Sequence, residues 1–158
     1  MSQLPTSTSA APSHPAPLLA SDEERTLQDL EALAGAGEIH IAMAPSAVLC
    51  DRILSHVPAM VRDRMPWEQA AYQATRLSSV LPAAKADDMD KAMAITEIAK
   101  AFATYPAPVA EWAADHLMAT KRFRPVPADI HEAAKARLSR LKVALIMADR
   151  VVAKRAEA

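Results

Sequence analysis

The sequence predicts an all-α fold: a small multi-helix bundle with a long C-terminal helix and a disordered N-terminal tail. Of the 158 residues, 36 are Ala, which is the best helix former because it loses no side-chain entropy. The chain has only two glycines, Gly35 and Gly37, so the tight turns of a hairpin-rich β fold are hard to build. Leu, Ile, Val and Phe together number 32, and we therefore expect a thin core.

The first twenty residues predict the tail. Residues 1–20 hold four Pro, four Ser and two Thr and carry no formal charge, so they bury too little apolar surface to offset the entropy of ordering. Ser21 and Glu24 have the spacing of a capping box, in which each side chain binds the backbone N–H of the other residue. A helix over about 22–34 should follow and end at Gly35 or Gly37.

Prolines divide the middle of the chain into helices. Residues 38–43 alternate between polar and apolar, but no second strand candidate exists, so a loop or a helical lead-in is expected. Asp87, Asp88 and Asp90 read as residues that cap the start of a helix. The apolar spacing and the prolines predict helices over the following approximate ranges: 46–61, interrupted at Pro58; 66–81, with Pro66 first; 91–104; and 108–120.

The last helix is predicted to be long and to carry a coiled-coil-like seam. Its apolar residues recur at steps of 3 and 4 over roughly 25 residues, as in a heptad pattern. Such a helix either packs on the bundle or projects and pairs with a partner. The expected organisation is a tail (1–20), a bundle (21–127) and a basic helix (128–158). The seam residues are Ile130, Ala134, Leu138, Leu141, Leu145, Ala148 and Val152.

The net charge of −1 conceals a strong asymmetry. Residues 1–120 hold 8 basic and 15 acidic groups, whereas residues 121–158 hold 10 basic and 4 acidic groups. The basic third could contact an acidic protein face or phosphates, or it could be neutralised by the acidic part of the same chain. Phe123 is the only aromatic residue after Trp112, which argues against base stacking. The candidate contact residues are Arg122, Arg124, Lys135, Arg137, Arg140 and Lys142.

Catalytic chemistry has little support in the sequence. The single Cys50 lies six residues from His56, which on a helix puts the two on nearly opposite faces. Glu111 and Asp115 lie one turn apart, as is common on an exposed helix face. We expect no enzymatic activity, cofactor or metal. The lone cysteine fits a reducing, cytoplasmic location, and no apolar stretch is long enough to span a membrane.

One stretch has a familiar order of elements. Residues 92–134 give a helix, a Pro-broken turn, a helix bearing Trp112, and the segment Lys-Arg-Phe-Arg-Pro-Val-Pro-Ala-Asp-Ile. This order resembles small phage and prophage replication accessory proteins of the replicative-helicase loader type. The resemblance implies a helical adaptor that binds a hexameric helicase and either delivers it to an origin or holds it inactive. Within the element, Phe123 is expected to pack against Trp112 or Leu117, while Pro125 and Pro127 fix an extended connector.

These observations favour a non-enzymatic helical adaptor that acts in phage-type DNA replication through protein contacts. The expected contact surfaces are the exposed side of 122–142 and the seam of the last helix, through Ile130, Leu138, Leu141 and Leu145. One alternative is a small DNA-binding regulator that uses the basic C-terminal helix. Another is a self-associating coiled-coil inhibitor or packaging adaptor, so homo-oligomers are also possible.

Overall fold

A computed structural model confirms the all-α fold, and it describes residue 19 and residues 21–84 and 90–158. Of those residues 77% are helical, in six α-helices and one short 3-10 helix, and none forms a strand. The predicted tail, apart from Leu19, and two of the capping aspartates, Asp87 and Asp88, lie outside the described residues. The helices are α1 (Ser21–Ala36), α2 (Ala47–Met60), α3 (Trp67–Val80), α4 (Lys91–Phe102), α5 (Ala107–Thr120) and α6 (Pro127–Ala156).

The helix boundaries follow local signals in the sequence. Ser46 caps α2 by accepting a hydrogen bond from the Leu49 N–H at 3.3 Å. Gly37, with φ of +79°, follows the end of α1 as predicted, because glycine adopts this conformation without a steric cost. Pro66 is the residue that precedes α3 rather than its first residue. Residues 41–43 form the 3-10 turn, so the helical lead-in is confirmed.

Three local expectations were wrong. Pro58 does not interrupt α2, which continues to Met60, because a proline in the last turn removes only one helical hydrogen bond. Leu19 was assigned to the disordered tail, but it is buried against the core at 7% exposure. Ser21 and Glu24 form no capping box, since both carboxylate oxygens of Glu24 accept hydrogen bonds from Arg137 instead.

Helix α6 is the centre of the bundle. It contacts α1, α2, α4 and α5, so it packs on the bundle along its length. Its buried face follows steps of 4 and 3 as a coiled-coil seam does, but one position of that seam is an arginine. The buried positions along this face are Ile130, Ala134, Arg137, Leu141, Ala144, Ala148 and Val151.

The predicted seam is therefore only partly right. Ile130 and Leu141 are buried as expected, whereas Leu138 and Leu145 lie at the flank and are only partly buried against the core. The prediction placed only apolar residues in the seam and therefore used Leu138. The residue at the heptad position is Arg137. The seam faces the bundle, so it is not available to a partner in this structure.

Alanine lets the helices of this thin core approach closely. Ala110, Ala113 and Ala114 of α5 are fully buried, as is Ala134 of α6, and α5 packs against α6. Small side chains at a helix interface leave little room for a longer one, so overpacking there would be costly. The few large side chains, including the fully buried Phe102, fill the remaining space.

The difference between Leu141 and Leu138 provides a test of the observed seam. We expect Leu141→Ala to lower the free energy of unfolding by about 2–5 kcal/mol, because it opens a cavity in a fully buried site. Leu138→Ala, its matched control, should cost only about 1 kcal/mol, because its side chain is already partly exposed. Urea unfolding followed by circular dichroism measures both. Equal losses would contradict the assignment of the buried face.

Candidate partner-binding surface

An ion pair between a buried arginine and a partly exposed glutamate joins the first and last helices. Arg137 is 4% exposed, and its Nη1 and Nη2 atoms donate to Oε1 and Oε2 of Glu24, each at 2.7 Å. The guanidinium carbon also lies 5.0 Å from the ring centroid of Trp112, within cation–π range. The Trp112 ring in turn stacks on His116, with centroids 4.8 Å apart. One side chain of α6 thus binds both α1 and α5.

The geometry of this pair shifts the titration of the carboxylate. The hydrogen bonds from Arg137 hold the pKa of Glu24 below its usual value of 4.5, although partial burial acts in the opposite direction. Arg137 had been predicted as an exposed contact residue, but it lies inside the fold. A buried guanidinium needs such a partner, because an unpaired charge there would be strongly destabilising.

Other basic groups of α6 also bind within the chain. Arg140 donates through Nε and Nη2 to the carboxylate of Glu31, at 2.7 and 2.8 Å. Near the C-terminus, Lys154 Nζ donates to the Ile39 carbonyl at 2.6 Å, and Arg155 reaches the Ala44 carbonyl at 3.3 Å. Arg137 and Arg140 are thus neutralised by carboxylates of the acidic part of the same molecule, as one of the sequence interpretations held, whereas Lys154 and Arg155 bind backbone carbonyls.

Three of the predicted contact residues remain at the surface. Arg122, Lys135 and Lys142 are exposed, and none forms an ion pair with a residue that the structure describes. Arg124, by contrast, is 8% exposed, and its backbone N–H donates to the Pro82 carbonyl at 2.8 Å. The six predicted contact residues thus divide between the interior and the surface and form no single basic patch.

The connector between α5 and α6 is firmly held. Buried Arg124 and Pro125 fix its middle to the bundle. At its ends, Asp129 accepts from the Val126 N–H at 2.9 Å and from Lys121 Nζ at 3.2 Å. Val126 has no side-chain acceptor, so only this half of a capping box is present. Asp129 therefore organises the first turn of α6, as expected.

The same connector presents apolar side chains to solvent. Phe123 is 51% exposed and Val126 is 53% exposed, and exposed Arg122 precedes them. Phe123 was expected to pack against Trp112 or Leu117, but half of its surface is open. We call Arg122, Phe123 and Val126 the connector surface. Its three side chains lie within five positions of a segment that is anchored at both ends.

An open groove lies between α5 and α6 beside the connector. Its volume is about 390 Å³, and Lys121, the first residue of the connector, belongs to its wall. The wall combines the stacked ring pair of Trp112 and His116 with groups of both charges. The lining residues are Trp112, His116, Leu117, Thr120, Lys121, Asp129, Glu132, Ala133 and Ala136.

The residues with catalytic potential are placed in structural roles. Cys50 is fully buried, and burial raises the pKa of its thiol. His56 Nδ1 lies 3.0 Å from Oε1 of Glu23, and Asp115 forms an ion pair with Arg76 at 2.6 Å. Burial raises the pKa of Glu111, with a smaller contribution from Asp115. Within the described residues no three His, Cys, Asp or Glu side chains cluster as metal ligands.

The comparisons with known proteins add no relative. No family model, curated protein or solved structure matches this chain. None of the described helices is long and apolar enough to cross a membrane.

Sequence reasoning missed two features of this region. Val126 was not singled out, although its position between two prolines marks it as part of an extended connector. The pairing of α1 with α6 was also missed. A signal for it existed, because Glu24 and Glu31 lie seven residues apart and share one helix face. Arg137 and Arg140, three residues apart, share a face of α6 in the same way.

Two carboxylates of α1 allow a matched test of how far the burial of their arginine partners matters. Glu24→Ala should lower the free energy of unfolding by about 3 kcal/mol or more, because it leaves Arg137 buried without its partner. Glu31→Ala should cost about 1 kcal/mol or less, because Arg140 is 41% exposed and can return to water. Denaturant unfolding checks both values. A larger cost for Glu31→Ala would contradict the account.

The lowered pKa of Glu24 predicts a pH dependence. The pKa of Glu24 is lower in the folded protein than in the unfolded chain, so its ionised carboxylate stabilises the fold when the pH is above the pKa of the unfolded chain. This stabilisation is lost as the pH falls through the pKa of the folded protein. The free energy of unfolding should thus fall more steeply for the native protein than for Glu24→Gln as the pH falls below about 4.5. Unfolding curves at several pH values measure this difference. Parallel profiles would show that the pair contributes nothing.

Proposed function

We propose that this protein is a non-enzymatic helical adaptor that binds a protein partner through its connector surface. The observation that carries the proposal is the exposure of Phe123 and Val126 on a segment whose neighbours, Arg124 and Pro125, are buried. An apolar side chain on a rigid support loses little conformational entropy when it binds. Aromatic and arginine side chains are also the residues most often found at the centre of binding surfaces.

The chemistry of the surface suggests the character of the partner. Phe123 and Val126 need an apolar pocket, and exposed Arg122 favours acidic residues at its rim. The resemblance of residues 92–134 to helicase-loader proteins supports a hexameric replicative helicase as this partner. On this proposal the protein is a cytoplasmic, phage-type replication accessory. Loading and inhibition of the helicase are then the two possible effects, and a helicase assay separates them.

The two alternative functions have less support. A DNA-binding helix needs cations along its exposed face, but Arg137 of α6 is buried and Arg140 is paired with Glu31. A coiled coil through the predicted seam needs that seam to be exposed, but Leu141 is 1% exposed within the bundle. Both observations favour contact through the connector.

Replacing Phe123 tests the proposed surface. We expect Phe123→Ser to weaken binding to a purified replicative helicase at least tenfold, because it removes the largest exposed side chain of the connector surface. Met93→Ser is the matched control, since Met93 is an exposed apolar residue of α4, at 59%. Biolayer interferometry with immobilised protein measures both affinities. Circular dichroism confirms that each variant remains folded.

Three results would contradict the proposal. The native protein could fail to bind the helicase, Phe123→Ser could bind as tightly as the native protein, or Met93→Ser could lose as much affinity. A titration of duplex and single-stranded DNA distinguishes the DNA-binding alternative. Affinity whose logarithm falls linearly with the logarithm of salt concentration would favour that alternative. We expect no such binding.

A further inference from the structure

Helix α6 carries a second stripe on its exposed side, and the first member of this stripe, Ala136, also borders the groove beside α5. Its members follow steps of 3 and 4 residues, the spacing of a coiled-coil seam, and all of them are exposed. Val143, at 37% exposure, and Ile146, at 55%, form its apolar centre. Small residues near the ends would let another helix approach closely. The members of this outer stripe are Ala136, Ser139, Val143, Ile146, Arg150 and Ala153.

Charges of both signs border the outer stripe on one side, where exposed Lys135 lies seven residues before Lys142. Lys142 directly precedes Val143 of the stripe, and Asp149 directly precedes Arg150. Because the two residues are seven positions apart, or two helical turns, they lie on the same flank of the stripe. Both are exposed, and neither forms an ion pair with any residue in the described part of the chain. If a second copy of this helix runs in the opposite direction, the same flanks of the two copies face each other. The lysine of each copy then lies near the aspartate of the other.

We propose that the outer stripe is a homodimer interface in which the α6 helices of two copies pack antiparallel. A two-fold axis between Val143 and Ile146 places each of these residues against the other in the second copy. The same register sets Ser139 against Arg150, and Ala136 against Ala153. Lys142 of each copy then lies beside Asp149 of the other, which gives two equivalent ion pairs.

The charges favour this direction over a parallel one. A parallel pair would place Arg150 against Arg150 of the second copy in the same layer of the interface. Like charges held in contact are destabilising. A parallel pair would also place Lys142 beside Met147 of the other helix, since residues five apart on the two flanks meet in parallel pairs, so Lys142 would lose its carboxylate partner. Lys154, which would then meet Asp149, already donates to the Ile39 carbonyl. The antiparallel arrangement avoids both contacts.

The size of the stripe sets the expected strength. From Ala136 to Ala153 it is about 26 Å long at 1.5 Å per residue, and a helix is about 10 Å wide. Such a strip covers less than the roughly 800 Å² per partner of a standard stable interface. The dimer should therefore form reversibly, and its population should depend on protein concentration.

Sedimentation equilibrium of the full chain over a wide concentration range tests the interface. The mass should rise from 17.0 kDa toward twice that value. Ile146→Asp should remain monomeric, whereas Val80→Asp, which places the same charge on an exposed valine of α3, should still dimerise. A native mass of 17.0 kDa at every concentration would overturn the proposal, as would a dimer that survives Ile146→Asp.

Charge reversal and cross-linking test the direction. Asp149→Lys should weaken dimerisation at least tenfold, and the double variant Lys142→Asp, Asp149→Lys should restore it.

A mixture of Ala136→Cys and Ala153→Cys proteins should cross-link with a short bismaleimide, while each alone should not. The buried native Cys50 should not react. Cross-linking of either single variant with itself, or no rescue by the double variant, would overturn the antiparallel dimer. Phe123→Ser should dimerise normally, so this result is independent of the proposed helicase contact.

Discussion

The buried charge of Arg137 is the constraint on which the rest of this bundle depends. Its guanidinium occupies one position of the inner seam of α6, where an apolar residue would ordinarily lie. Because such a group must be paired, α1 has to supply Glu24 at 2.7 Å, and Trp112 of α5 lies against the same cation at 5.0 Å. A shift of α6 by one turn would bury an unpaired charge. The pair therefore specifies the register in which the long helix lies on its neighbours.

This constraint also explains how the chain uses its uneven charge. The acidic first helix and the basic last helix are complementary halves of one interface, with Arg137 near its centre and Arg140 at its edge. The surfaces that remain available to a partner are smaller than a basic patch and include apolar side chains. They consist of Arg122, Phe123 and Val126 on the anchored connector, and of the outer stripe of α6. The adaptor proposal and the dimer proposal thus concern surfaces that the internal pairing leaves free.

Local features of this fold could be predicted from the sequence, and long-range pairing could not. Helix ends followed Ser46, Gly37 and the prolines, because capping and turn preferences act over a few residues. The inner seam was only half predicted, since the apolar pattern gives no reason to bury Arg137. Its partner Glu24 is 113 residues away, and the shared faces of Glu24 with Glu31 and of Arg137 with Arg140 do not by themselves show that the two faces meet. The connector could likewise be predicted from its local proline motif. The exposure of Phe123 could not, because it depends on which distant residues pack around the connector.

A double-mutant cycle on Glu24 and Arg137 tests the central claim most directly. The free energies of unfolding of the native protein, Glu24→Ala, Arg137→Ala and the double variant give the coupling between the two side chains. A buried, doubly hydrogen-bonded pair that sets the register should couple by about 2 kcal/mol or more, with the double variant more stable than Glu24→Ala alone. A coupling below about 0.5 kcal/mol, as for exposed ion pairs, would contradict the account.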